Sequence, residues 1–189
     1  MRLKQSHRFR AYSRKMSLLI LTLFVASVVA DFDFLDEHNA RRRDVSPSAS
    51  NMRKLKWSNE LADLAWSHAV TCSFGHNNPQ SSIFNYVGQN IASSDPRISA
   101  KEIVKMWDNE KSKYNYYSNT CSGICGHYTQ VNWANTEYVG CAVVDCSFGS
   151  FYVCNYGEGG NFNNARPYNQ GTPCSGCPTG YSCENKLCV

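Results

Sequence analysis

The stretch GHYTQVNWANTEYVGC, Gly126–Cys141, reads as a strand, a tight turn and the opening of a second strand. Its side chains alternate, with His127, Thr129, Val131 and Trp133 to one side and Tyr128, Gln130 and Asn132 to the other. The alternation recurs over Tyr138–Asp145 and Ser150–Tyr156 with short loops between, which predicts an antiparallel meander. Bulky groups on both sides of the first strand imply that both sheet faces are covered. Upstream the pattern is helical, so the expected fold is α+β, a three-layer α-β-α sandwich with an antiparallel central sheet. His127 stands at the mouth of the first strand, where a titratable, metal-capable side chain needs a partner.

Three helices are expected before the strands. The first covers Phe32–Arg43, and its Arg41–Arg43 run reads as a solvated face. The second starts at Ser58, an N-cap with Glu60 in the first turn, and buries Leu61, Leu64, Ala65, Ala69 and Cys72. His68 shares that stripe and reads as a satisfied core histidine ahead of a ligand. The third opens on a capping box, Ser99–Glu102, with Ile103, Trp107 and Tyr114 on the buried side. Glu110 falls on the same stripe. A carboxylate on an apolar face is costly unless something pairs with it, so Glu110 either marks a site or reaches water or a lysine at the stripe's edge.

Of the 19 Lys+Arg, six precede residue 16 and none of the 15 Asp+Glu does; an apolar run, Ser17–Ala30, follows. This is the pattern of a signal peptide over residues 1–30, cleaved after Ala30, with initiation at Met16 or a signal anchor as alternatives. The run is short for a membrane span, which takes about 20 apolar residues. Without it the formal charge passes from +4 to −2, because 13 basic residues face 15 acidic ones. That balance gives no footprint for nucleic acid or for a polybasic membrane patch. The 10 cysteines run from Cys72 onward, and an even count in an exported chain reads as disulfides, with the pairing left open. Zinc is the competing reading for the CSGC of Cys174–Cys177. No Asn-x-Ser/Thr acceptor occurs. The domain is expected over residues 31–165 and a cysteine-rich, hinge-like tail over 166–189, poor in apolar residues and held by bridges.

Five motifs in register carry a resemblance: HNARR (38–42), CSFGHNN (72–78), VGQNIA (87–92), GHYTQVNWANT (126–136) and FYVCNYGEGGN (151–161). Together the chain resembles the CAP superfamily of cysteine-rich secretory, antigen 5 and pathogenesis-related proteins. Within it, TCSGICGHYTQ and PYNQGTPCSGCPTGYSC are most similar to the glioma pathogenesis-related group. The resemblance implies a cleft lined by His76, Gln89, Glu110 and His127, with Gln89 where many members carry glutamate. It also implies bridges Cys72–Cys141, Cys121–Cys125 and Cys146–Cys154 in the sandwich, and Cys174–Cys183 and Cys177–Cys188 in the tail. Asn132 and Glu158 depart from the family's aliphatic and proline.

The function expected from this reading is a secreted, extracellular binding module, its ligand a sterol or fatty acid, a divalent cation or a protein partner. No cofactor is required; two imidazoles and a carboxylate suit zinc or another divalent cation, weakly because Gln89 lacks the charge. The family's sterol site is attributed to the loop that is Tyr114–Cys125 here, where Tyr114, Tyr116 and Tyr117 either present ring faces to a lipid or cap the sandwich. A zinc-dependent or serine-type peptidase using the same cleft is the alternative. Ser93 and Ser94 have no GxSxG frame, however, and no HExxH helix is present. A channel-modulating toxin is disfavoured, since that activity is attributed to a further cysteine-rich domain beyond the hinge.

Overall fold

The computed structural model describes residues 33–162 and 164–189, so the expected signal segment 1–30 lies outside the described residues. The elements are helix α1 (33–43), β1 (Lys56–Trp57), α2 (Asn59–Ala69), β2 (Val87–Ser94) and α3 (Ala100–Asn109). A 3₁₀ turn (Glu110–Lys113) leads to the β3–β4 hairpin (Tyr114–Asn115, Thr120–Cys121). There follow α4 (Gly126–Val131), β5 (Tyr138–Cys146), β6 (Gly149–Gly157) and the tail hairpin β7–β8 (Cys183–Glu184, Leu187–Cys188). No helix among the described residues is long and apolar enough to cross a membrane.

The main sheet has strand order β1-β5-β6-β2. Its three long strands are antiparallel, and the two-residue β1 joins the edge in parallel, which makes the sheet mixed. Strand β6 is central and buried on both faces. Phe151 and Val153 meet Ala65 and Ala69 of α2, while Tyr152, Cys154 and Tyr156 meet Phe34, Ile103, Trp107 and Val131 from α1, α3 and α4. The result is the three-layer sandwich. Helix α2 lies close on the sheet because Gly140 has no side chain; a Cβ there would run into the backbone of Ser58 and Ala62.

Both helix starts read from the sequence are present. Ser58 Oγ accepts from Leu61 N, and Ser99 and Glu102 form the reciprocal box. The opening stretch is a correction: Gly126–Val131 is a short helix, and the third long strand is instead Val87–Ser94. Cys125 offers α4 no side-chain cap; the first-turn amides of His127 and Tyr128 donate to Glu110 Oε2 at 3.0 and 3.3 Å. The helix is therefore started by a partner 17 residues upstream, which local alternation cannot reveal. Tyr114 is likewise not on α3; the helix ends at Asn109 and Tyr114 opens β3.

Two bridges also differ from expectation. The structure pairs Cys72 with Cys146 and Cys141 with Cys154, rather than Cys72–Cys141 and Cys146–Cys154. Strand parity explains it. Cys141 lies directly across from Cys154, and both point into the α1/α3 layer. Cys146, five residues on, points to the opposite face beside α2, whose end carries Cys72. The remaining bridges are Cys121–Cys125, Cys174–Cys183 and Cys177–Cys188.

The arginine run is a third correction. Arg42 is 1% exposed, not solvated. Its guanidinium donates to the carbonyls of Arg53, Val131, Trp133, Ala134 and Thr136. Among the described residues no carboxylate bonds to it. Burial lowers its pKa to about 9, so it remains charged at neutral pH. The tail, finally, does bury something. Leu187 packs with Met52, Tyr116 and Tyr168, and Cys188 exchanges backbone hydrogen bonds with Met52 and Lys54.

Peptide mass mapping of the oxidised protein is expected to return Cys72–Cys146 and Cys141–Cys154 fragments, and the alternative pairs would refute the parity argument. Arg42→Met removes the side-chain donor from five carbonyls, two of which keep a backbone amide, and is expected to cost about 3–5 kcal/mol in urea unfolding. Arg42→Lys, with a point charge in place of the fork, should fall between. Three equal midpoints would show that the guanidinium is dispensable.

Candidate functional site

Edge strand β2 carries the centre of the site, because its consecutive residues Gln89 and Asn90 face opposite sides of the sheet. Gln89 Oε1 accepts from His76 Nδ1 at 3.1 Å and from Asn77 N at 3.3 Å. Its Nε2 donates to Asn77 Oδ1 at 2.7 Å and Asn155 Oδ1 at 3.0 Å, and lies 3.4 Å from His68 Nδ1. The backbone amide of Asn77 fixes which end of the Gln89 side chain is oxygen. His76 then carries its proton on Nδ1 and keeps a lone pair on Nε2. The ring is exposed. His68 is buried, edge-on to Phe151, and burial lowers its pKa.

On the other side Glu110 Oε1 accepts from His127 Nδ1 at 2.6 Å, while Oε2 holds the two α4 amides. The carboxylate that periodicity leaves unpaired thus binds a histidine and starts a helix at once. His127 also has its proton on Nδ1 and an open Nε2. Its ring lies nearly parallel to that of Trp107, with centroids 6.1 Å apart.

The two pairs are joined through β2. Asn90 Nδ2 donates to His127 O and to Tyr156 Oη, both at 3.1 Å. Tyr156 donates to His38 Nε2 at 2.8 Å, and His38 Nδ1 donates to Phe34 O at 2.7 Å. Every member of this chain has one consistent proton position, with a neutral His38 at its end. Burial, with Arg42 adding to it, lowers the His38 pKa to about 4 against the pull of Phe34 O. His38, Asn90 and Tyr156 lie within three of the motifs, HNARR, VGQNIA and FYVCNYGEGGN, but are not among the four expected cleft residues. For His38 a signal exists in the steps of four from Phe34 through His38 to Arg42.

As a cation site the donor set fits poorly. Both oxygens of Glu110 are committed, Gln89 is neutral and engaged at both ends, and only the two Nε2 atoms are open. Among the described residues no group of three or more His, Cys, Asp or Glu is gathered closely enough to hold a metal ion. Among the described residues no serine, threonine or cysteine side chain is hydrogen-bonded to His76 or His127. All ten cysteines are bridged, and Ser94 Oγ donates to Tyr152 Oη rather than to a histidine. Of the loop tyrosines, Tyr116 is buried with its hydroxyl on Tyr168 O, and Tyr114 bonds Asn119 Oδ1. Burial pushes the Tyr114 phenol up to about 12. Tyr117 alone of the three is largely exposed.

The profile of the cysteine-rich secretory protein family, CAP, matches residues 35–156. GLIPR1-like protein 1 of Bos taurus is 43% identical over 163 residues, which is 80% of this chain and 67% of that protein. Peptidase inhibitor 16 of Mus musculus is 41% identical over 165 residues, 82% of this chain but only 32% of that protein, so the chain spans about a third of that relative. The crystal structure of NaASP2 with Zn2+ superposes with a TM-score of 0.69 at 28% identity, covering 85% of this chain and 95% of that one.

The His38 geometry sets a pH dependence. An unfolded histidine titrates at 6.5 and the buried one at about 4, so the unfolded chain binds the extra proton between those values. Stability is full above 6.5 and is lost as pH falls toward 4, by about 3 kcal/mol from this residue. Denaturant titrations at about pH 7 and about pH 4.5, either side of the unfolded histidine's midpoint, are expected to show a smaller drop for His38→Gln than for the wild type. Equal drops would place the pH sensitivity elsewhere.

Proposed function

The chain belongs to the cysteine-rich secretory protein (CAP) family, and from that premise we propose that it works outside the cell as a binding module and not as a catalyst. Five disulfides support an oxidising destination. One observation carries the non-catalytic reading: the cleft side chains commit their polar atoms to one another, and no serine, threonine or cysteine is bonded to His76 or His127 among the described residues. Without a side-chain nucleophile bonded to either histidine, the arrangement of covalent catalysis is not assembled.

The open positions of this cleft are the two imidazole Nε2 atoms. A carboxylate holding Nδ1–H of a histidine is the usual support behind a metal-bound imidazole, and it raises the ligand's basicity. Zinc is the cation such nitrogens favour, whereas magnesium and calcium want oxygen anions that Glu110 and Gln89 do not offer. The structure of NaASP2, 28% identical, was determined with Zn2+, which supports zinc as the cation to test here. Zinc would be held by the open Nε2 of His76 or of His127, each backed through its Nδ1, with no chemistry routed through it. The loop tyrosines support a capping role more than a sterol site, since the hydroxyls of Tyr114 and Tyr116 are tied down internally.

Calorimetric titration of the secreted protein with zinc chloride is expected to show weak binding that His127→Ala abolishes, and magnesium should give no heat. Gln89→Glu restores an anionic donor and should tighten zinc by about tenfold. A quenched-peptide library should show no turnover in either protein. Zinc-dependent cleavage lost in His127→Ala would replace this reading with a peptidase.

A further inference from the structure

Beneath the β3–β4 hairpin lies a cavity of about 740 Å³, separate in its lining from His76, Gln89, Glu110 and His127. Its walls combine tyrosines with charged groups of both signs. Asp108 is only 3% exposed, yet it lines this space. Its Oδ2 accepts from Lys111 Nζ at 2.9 Å, and its Oδ1 accepts from Asn132 Nδ2 at 3.3 Å. Asn132 is itself fully buried, and its own Oδ1 has no partner. An aliphatic residue at 132, the family's usual choice, gives the Asp108 carboxylate no donor. Asn132 thereby holds the Asp108 carboxylate at the cavity wall.

The lining selects a ligand by elimination. Asp44 and Asp108 balance Lys111 and Lys113, so the cavity is formally neutral and favours neither an anion nor a cation. Val45 and Pro47 are its only aliphatic side chains apart from the methyl of Thr120. A sterol would bury the Asp108–Lys111 pair without new partners for it, which is costly. What the lining does match is a neutral molecule rich in hydroxyls. Each hydroxyl both donates and accepts, so it bridges an ammonium and a carboxylate held side by side. Tyr114, Tyr117 and Tyr128 supply ring surface for the C–H faces of such a ligand, and three serines and an asparagine add polar edges. Tyr117, 71% exposed, stands where it can close over a bound ring.

We infer that this cavity is a binding site for a neutral saccharide, recognised by the Asp108–Lys111 pair and the tyrosine faces. The test uses the secreted full chain and three probes: maltotriose, cellotriose and N,N′,N″-triacetylchitotriose. Titration followed by calorimetry and by intrinsic fluorescence is expected to show saturable binding of at least one of them. Lys111→Gln, whose amide can still donate to Asp108, and Tyr117→Ala alter exposed side chains and should each weaken that binding by about tenfold. Asn132→Val should weaken it as well, and His127→Ala should leave it unchanged, which separates this site from the cleft. No saturation by any probe up to about 10 mM would overturn the assignment, because useful recognition begins near the millimolar range. So would wild-type affinity in both Lys111→Gln and Tyr117→Ala. Cholesterol binding that is lost in Tyr117→Ala, with no sugar bound, would overturn it in favour of a lipid.

Discussion

The Arg42 guanidinium is the constraint on which the other layers depend. A buried cation must be solvated by something, and here the solvent is backbone. Five carbonyls, four of them from 131–136, converge on one planar fork. The link between α4 and β5 is an irregular segment with no ladder of its own; Trp133 O and Ala134 O accept one backbone amide each, from Thr136 and Arg53, and Arg42 supplies the further donors that these buried carbonyls take. Arg42 and the loop satisfy each other. Arginine suits the task because its donors are splayed in a fixed plane and its charge survives a large drop in pKa. Once the loop is gathered onto α1, α4 has only one place to lie, and His127 comes to Glu110.

From there the site divides into a rigid interior and an open rim. The chain running from Asn90 through Tyr156 and His38 to Phe34 is buried and directional, and each hydroxyl or ring nitrogen has one proton assignment. Low dielectric strengthens such a chain and makes any broken link expensive, so it holds β2, β6, α1 and α4 in one register. The rim groups, His76 and His127, are tethered only through Nδ1. Their outer nitrogens are left open for a ligand. Rigidity inside is what lets a half-exposed imidazole keep a defined direction.

How far the sequence discloses this depends on how local each cause is. Helices α2 and α3 follow from caps and stripes within a dozen residues, and the β5–β6 hairpin from simple alternation. Glu110 signals a missing partner by lying on an apolar stripe, and the partner exists. Helix α4 is hidden because its N-terminal cap comes from that same Glu110, distant in sequence. Alternating polar and apolar residues over six positions fit a strand as well as a turn and a half of helix. Cysteine pairing is more accessible than it looks: Cys141 and Cys146 sit an odd number of residues apart in one strand, so they cannot serve the same face. Arg42 needs the pattern of Phe34 and His38 beside it, read as one buried stripe rather than as a charge run.

Asn132 shows why a departure from a family pattern is best followed through its hydrogen bonds. Alternation alone makes it a polar residue on one side of a strand, remote from the cleft and therefore without consequence. In the fold it is the C-cap of α4, fully buried, reaching back to Tyr128 O and across to Asp108. One amide thereby gives a buried carboxylate a second donor and holds it at the wall of a cavity, where an unmatched acceptor would be costly. The cleft that resemblance singles out has satisfied nearly all of its own polar groups. The hairpin cavity holds a paired charge and an unmatched amide oxygen behind it. That amide oxygen is out of a ligand's reach, so what the cavity offers is the Asp108–Lys111 pair that Asn132 holds in place, whereas the cleft offers two open imidazole nitrogens.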